Sequence, residues 1–299
     1  SIFNASLYAR ALLEMMDICE IIGDKKSVDM YKTWYNDVKN ALNEHAWDGK
    51  WWVRWFGKDG EAYGTKKAKY GKIYCNSQSW PVFSGLADGK RAVQGMDSLE
   101  KLLNTENGVK KSTPGYRGFD PTVGGISTYP PGAKENGGIF LHTNPWIMIA
   151  ETILGRGDKA FRYYCQINPA AKNDKLDEFE SEPYCYPQNI LGDEHPNFGM
   201  GRNAWLSGTS SWTYQAATQY ILGVRASFAG LIVDPCIPST WKGFEMVRKF
   251  RGATYKITVK NPKGICKGVE KMVVDGATLD SNVAPIFKSG THTIEVTLG

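Results

Sequence analysis

Between Asn4 and Ile22 apolar residues recur every three or four positions, at Leu7, Ala11, Met15, Ile18 and Ile22, and Gly23-Asp24 ends the run where a left-handed cap belongs. That spacing predicts an amphipathic helix. A second helix is expected from Ser27, a good N-cap, with Met30, Tyr31, Trp34, Val38, Ala41 and Leu42 on one face, so the two form a hairpin. The texture changes at Trp47, where the turn pair Asp48-Gly49 precedes the β-favouring run Trp51 to Phe56, which predicts a short extended segment. Helical periodicity returns over 79–86, 90–103, 144–166 and 209–222, and long stretches rich in Gly, Pro and Tyr separate these runs. Beyond Gly223 the pattern becomes strand-like at 231–233, 246–250, 253–260, 271–274 and 291–298, with turn pairs Asn261-Pro262 and Asp275-Gly276 between. The reading is a helical array over residues 1–223 followed by a small antiparallel β domain over 224–299.

Composition narrows the function. With 299 residues, 42% of them hydrophobic, the chain has enough apolar material for a large core and a small second domain, which excludes a disordered protein. The net charge of +5 comes from 36 basic and 31 acidic residues spread evenly, without the basic block that tracks a nucleic-acid backbone, so no nucleic-acid partner is expected. Six widely spaced cysteines without a C-x-x-C pair give neither a zinc knuckle nor a disulfide framework, and a reducing, cytoplasmic compartment is the expectation. No apolar run approaches the ~20 residues that cross a bilayer, so no membrane partner is expected either. Ser1-Ile2-Phe3-Asn4 opens almost directly into a helix, as an internal piece of a longer chain would.

Aromatic residues make up 12% of the chain, including 10 Trp, and many lie in the loops, where flat rings can stack on the C–H faces of sugars. The competing use is core filling, which is the expectation for Trp34 and Trp146. The densest polar run, Ser127 to Trp146, contains Tyr129, Lys134, Glu135, Asn136 and His142 within an irregular backbone set by Pro and Gly, just ahead of a helix. Asp193, Glu194, His195 and Arg202 read as structural support. Arg10, Arg54 and the group Lys66, Lys67 and Lys69 read as a solvated face.

The segment Tyr129-Pro130-Pro131-Gly132-Ala133-Lys134-Glu135-Asn136-Gly137-Gly138-Ile139-Phe140-Leu141-His142 is very similar to a signature of the glycoside phosphorylases that include cellobiose, cellodextrin and chitobiose phosphorylases. Glu182 to Ile190 and Arg202 to Trp212 match two further signatures in the family's order, and the whole chain resembles the carboxy-terminal part of its members. The resemblance implies part of an (α/α)6 toroid followed by a carboxy-terminal antiparallel β-sandwich. It implies inorganic phosphate held by His142, Ser207, Gly208 and Thr209, the attacked sugar contacted by Gln188, and the acceptor sugar lined by Tyr129, Lys134 and Glu135. It further implies inverting phosphorolysis of a β-linked disaccharide, with cellobiose the expected substrate and α-glucose 1-phosphate a product. Phosphate is a co-substrate, and no metal or organic cofactor is expected. No catalytic residue is expected in this chain, because the family's general-acid aspartate precedes the first helix, as do a phosphate-clamping arginine and an amino-terminal β-sandwich. A homodimer is the expected assembly, and the upstream portion is expected either in a longer form of this chain or in a second chain that completes the site. Chitobiose or longer cellodextrins remain open as substrates. Two other readings also remain open: an inverting hydrolase using Glu135 with Glu182 or Glu194, and a non-catalytic carbohydrate-binding piece.

Overall fold

In the computed structural model, which describes residues 1–299, the chain divides into two compact units, Ser1–Ala150 with Cys165–Ser210, and Glu151–Tyr164 with Ser211–Gly299. The expected boundary after residue 223 therefore falls within the second unit. Eight α-helices occur in order: α1 (Ile2–Ile22), α2 (Lys25–His45), α3 (Asn76–Phe83), α4 (Gly89–Leu103), α5 (Asn144–Ile153), α6 (Gly157–Ile167), α7 (Leu176–Phe179) and α8 (Thr209–Gln215).

In the first unit α1 and α2 form the expected hairpin. Gly23 caps α1 with φ 78°, its amide bonding back to the carbonyls of Cys19 and Glu20. The second N-cap is Asp24 rather than Ser27, because the carboxylate accepts both the Ser27 amide, at 3.1 Å, and the Ser27 hydroxyl, at 2.6 Å. The buried face of α1 is Ile2, Ser6, Ala9, Leu12 and Cys19, whereas Leu7, Met15, Ile18 and Ile22 of the apolar stripe are exposed. Small side chains at positions 6 and 9 bring a helix close to its neighbour, and hydropathy alone does not mark that face. The Trp47–Phe56 segment is extended as expected, with a Trp47–Trp52 bridge and the strand Trp55–Phe56 paired to Ala62–Tyr63. Trp52 is fully buried with Ala9, Leu42, Val53 and Leu86. Trp146 is in the core at 8% exposure, but Trp34 is 42% exposed.

The single helix expected over 144–166 is broken. Gly155, at φ 75°, donates to the Thr152 carbonyl and Arg156 donates to Glu151, closing one helix before the next begins. The helix expected over 209–222 is α-helical only to Gln215 and widens into π-type turns over Ala216–Ile221. A five-stranded sheet runs in the order Gly243–Phe250, Ala253–Lys260, Thr291–Leu298, Val269–Val274, Ala277–Leu279. A smaller sheet of Val224–Ala226, Leu231–Val233 and Val283–Ala284 shares its core, with Val224, Leu231 and Val233 packed alongside Tyr255, Ile257, Ile294 and Val296. The expected all-antiparallel pairing is corrected at one place, since Ala253–Lys260 and Thr291–Leu298 are parallel. Alternation of buried and exposed residues is identical for either direction; here the long connection between the two strands returns the chain to run alongside. The Tyr255 hydroxyl ties this connection down, donating to the Pro285 carbonyl at 2.9 Å and accepting the Phe287 amide at 3.1 Å.

Ile294 is fully buried on the central strand of this sheet. Replacing it with Ala is expected to cost about 2–5 kcal/mol, read as a lower midpoint in urea unfolding followed by circular dichroism.

Candidate active site

The three segments singled out in the sequence meet on one small sheet in the first unit. Ile139 and Phe140 pair with Ile190 and Asn189, which in turn pair with Gly201 and Arg202. The ladder extends past the strands: the Leu141 amide donates to the Gln188 carbonyl, and the Gln188 amide to the Asn203 carbonyl, each at 3.1 Å. Ile139, Leu141, Asn189 and Ile190 are buried, so the register is fixed by what each residue must hide. His142, Gln188 and the chain leading to Ser207 therefore leave adjacent strands at the same end.

Beyond that end His142 and Gly208 converge. A Cβ built on Gly208 would lie 3.1 Å from His142 Cε1 and 3.4 Å from Nδ1, so a side chain here would crowd the imidazole by a few tenths of an ångström. On its other side the imidazole packs on Trp146, ring centroids 5.0 Å apart, and Trp146 rests on Trp80 and Phe3. Neither ring nitrogen has a hydrogen-bond partner in the protein. Burial lowers the His142 pKa from its ordinary value, and the Lys111 ammonium lowers it further. Next to Gly208, the Ser207 hydroxyl accepts the Thr209 amide at 3.1 Å and hydrogen-bonds with the Thr209 hydroxyl. One of the two hydroxyl protons is thereby used internally and the other is left to donate outward. The approach to Ser207 is held by Trp205, whose backbone is left-handed at φ 68°, whose amide donates to Cys185 Sγ and whose indole donates to Glu182 Oε1 at 3.0 Å.

Tyr129, Lys134 and Glu135 sit on a loop braced from within. The fully buried Asn136 side chain accepts the Tyr116 amide at 2.7 Å and donates to the carbonyls of Tyr116 and Tyr129. Gly132 accepts from the Gly192 amide, and a Cβ there would meet the His195 backbone at 2.6 Å. Within the loop the Lys134 ammonium lies 5.2 Å from the Tyr129 ring centroid, and the Lys134 amide donates to Asn189 of the small sheet. Glu135 Oε2 is buried without a hydrogen-bond partner.

The residues between the motifs are supports. Glu194 accepts the Gly115 amide at 2.9 Å and the Thr113 hydroxyl at 3.2 Å, and Asp193 pairs with Lys110 at 2.7 Å. Glu182 is held by the Trp205 indole, and its own backbone amide and that indole keep its carboxyl below the usual range. Carboxylates engaged in this way are poor bases for activating a water, which weighs against the two-carboxylate hydrolase reading. Sequence reasoning missed two groups. Arg54 is not on a solvated face: its guanidinium lies 4.0 Å from the Trp55 ring centroid and 4.3 Å from that of Tyr74, with one nitrogen buried and unpaired. Lys111 is the other, and nothing in Lys110-Lys111-Ser112-Thr113-Pro114 distinguishes it from a solvated turn.

The profile of the glycosyl hydrolase 94 superfamily, catalytic domain, matches residues 1–223. The chain is 39% identical to an N,N'-diacetylchitobiose phosphorylase of Vibrio proteolyticus over 98% of its own length and 37% of that protein's. It is 35% identical to a solabiose phosphorylase of Paenibacillus borealis, over 87% of this chain and 34% of that one. It thus spans little more than a third of the curated relatives it matches. Among solved structures, one described as a sialidase shares the fold with a TM-score of 0.57, at 13% identity, over 81% of this chain and 22% of that chain.

Gly208→Ala is expected to push the imidazole away while leaving the fold intact, since the three atoms nearest the added methyl all belong to the His142 ring. The check is a changed His142 ring signal in NMR with an unchanged melting temperature; an unmoved ring signal would contradict the contact. With its first 223 residues matched and its three motifs gathered on one sheet, the chain belongs to the glycosyl hydrolase 94 superfamily.

Proposed function

We propose that this chain supplies the phosphate-facing and sugar-facing walls of an inverting glycoside phosphorylase acting on a β-linked disaccharide. The observation that carries the reading is the unpartnered His142 imidazole held against Gly208, beside the Ser207 and Thr209 hydroxyls. A tetrahedral dianion needs this set: an imidazole that becomes cationic on binding, hydroxyl donors and a backbone that can be approached closely. Phosphate is already an anionic nucleophile, so no protein base is required. One carboxylic acid is required, to protonate the departing glycosidic oxygen as an oxocarbenium-like transition state forms. We assign that acid to an aspartate upstream of position 1, as the resemblance implies. Attack from the face opposite the leaving group then gives an α-sugar 1-phosphate.

Gln188, on the same ladder as His142, is assigned to the sugar whose anomeric carbon is attacked. Tyr129, Lys134 and Glu135 are assigned to the acceptor sugar, where a buried carboxylate oxygen without a partner favours a hydroxyl that can donate to it. The helices are read as part of an (α/α)6 toroid and the two core-sharing sheets as a carboxy-terminal β-sandwich. Cellobiose is not in the names of these curated relatives, which give N,N'-diacetylchitobiose, solabiose, a glucosyl-glucuronide, cyclic β-(1,2)-glucan and cellobionic acid. The identity of 39% to two chitobiose phosphorylases makes N,N'-diacetylchitobiose the first substrate to test. All six cysteines are free thiols, which suits a reducing compartment, and no helix is long and apolar enough to cross a membrane. A homodimer of the longer protein is the proposed assembly.

The reaction is tested by sugar 1-phosphate release from N,N'-diacetylchitobiose, cellobiose and cellobionic acid, using this chain together with the upstream region its relatives carry. Turnover indifferent to phosphate would refute a phosphorylase. A pH dependence also follows. Because the folded His142 pKa is depressed, its neutral form contributes stability that is present above the unfolded value and lost as pH falls through the folded one. An anion that binds the imidazolium reverses this preference, so sulfate, which does not titrate in this range, is expected to bind more tightly as pH falls toward that depressed value. Calorimetry across a pH series reads the trend, and flat affinity would remove His142 from the site.

A further inference from the structure

Lys110 and Lys111 are consecutive, yet their surroundings differ. The Lys110 ammonium is paired with Asp193 at 2.7 and 3.0 Å. The partly buried Lys111 ammonium has no hydrogen bond and no ion pair. Its backbone is clamped on both sides: the Cys75 amide donates to its carbonyl at 3.0 Å, and its own amide donates to the Gly138 carbonyl at 2.8 Å. Gly138 closes the loop that holds Glu135, since its amide donates to the Lys134 carbonyl. On the other side the Cys75 thiol reaches the Thr143 hydroxyl at 3.5 Å, and Thr143 adjoins His142. Lys111 is thus fixed between the motif loop and the segment that carries the imidazole. The charged groups in its field are Arg54, stacked on two rings with an unpaired nitrogen, Glu135 with an unpaired oxygen, and the imidazole itself. Two obligate or near-obligate cations and one carboxylate leave a net positive charge that no protein group neutralises.

We propose that the Lys111 ammonium is an additional anion-binding group of this site, a direct partner of the phosphate that His142 and Gly208 face. The inference rests on the phosphate reading above and deepens it by adding a residue. Lysine suits the task because its compact, movable point charge can meet a dianion in several orientations. Enclosure holds the Lys111 pKa below the ordinary lysine value, and the neighbouring Arg54 adds to this, while Cys75 and Glu135 act the other way. A bound dianion would raise it again.

The test uses Lys111→Met and Lys111→Arg in this chain together with the upstream region its relatives carry, with inorganic phosphate and sulfate as probes and the His142 ring followed by NMR. Lys111→Met is expected to weaken both anions on the order of tenfold to a hundredfold, the loss of one charge-assisted contact, while Lys111→Arg retains most of the affinity. Without any anion, Lys111→Met is expected to raise the His142 pKa and the melting temperature, because an unpaired enclosed charge is removed; a lysine with a purely structural role would lose stability instead. Unchanged affinity in Lys111→Met, or an unmoved His142 pKa, overturns the proposal. If the unsubstituted protein binds neither anion, the phosphate reading itself fails, a result distinct from failure of Lys111 alone because the anion-free His142 titration still reports whether the two groups face each other.

Discussion

The candidate site depends on a ladder of three two-residue strands in which Ile139-Phe140, Asn189-Ile190 and Gly201-Arg202 hydrogen-bond side by side. Strands this short have little stability of their own. They hold because their side chains are buried in the unit around them and because the ladder continues through Leu141, Gln188 and Asn203. Once that register is set, His142, Gln188 and the turn toward Ser207 have no freedom to diverge. A slip of one residue would turn Ile190 out of the core and carry Gln188 to the opposite face.

Around the ladder the polar groups divide by whether their bonds are made. Asn136, Glu194 and Asp193 are satisfied, and they brace the loops at 113–116, 129–138 and 192–195 against one another. His142 and Lys111 make no side-chain hydrogen bond to the protein, and Glu135 Oε2 and a nitrogen of Arg54 are buried without a partner. Supporting side chains in this region find partners at 2.7–3.2 Å, whereas Glu135 Oε2 and the Arg54 nitrogen are buried without one, as is Asn189 Nδ2 on the small sheet.

Much of this was legible in the sequence, and the failures share a cause. Periodicity located the helices and most longer strands, since burial on one face writes a repeat into the residues. It misjudged the buried face of α1, where Ser6 and Ala9 pack inward and Leu7 and Met15 do not, because close helix approach selects size before hydropathy. Nor could it give strand direction, because the buried-exposed alternation of Ala253–Lys260 reads the same in a parallel pair. His142 and Gly208, which the structure brings together, were singled out through motifs, but Lys111 and Arg54 lie in stretches that read as ordinary basic turns. What distinguishes them is the absence of a partner, a property of three-dimensional neighbours that no local pattern carries.

That absence has an energetic meaning for the scaffold. Holding an ammonium and a guanidinium in a partly enclosed space with one carboxylate costs stability, and burial first and the Lys111 ammonium second hold the imidazole pKa below its ordinary value. A protein selected for stability alone would fill these positions with apolar side chains of similar volume. The aromatic cluster of Trp146, Trp80 and Phe3 behind His142 offsets part of the cost and keeps the ring from turning away to find a partner elsewhere. In the proposed site the unpaired charge would act as a stored preference for an anion, and its rigid backing would let that preference act at one place.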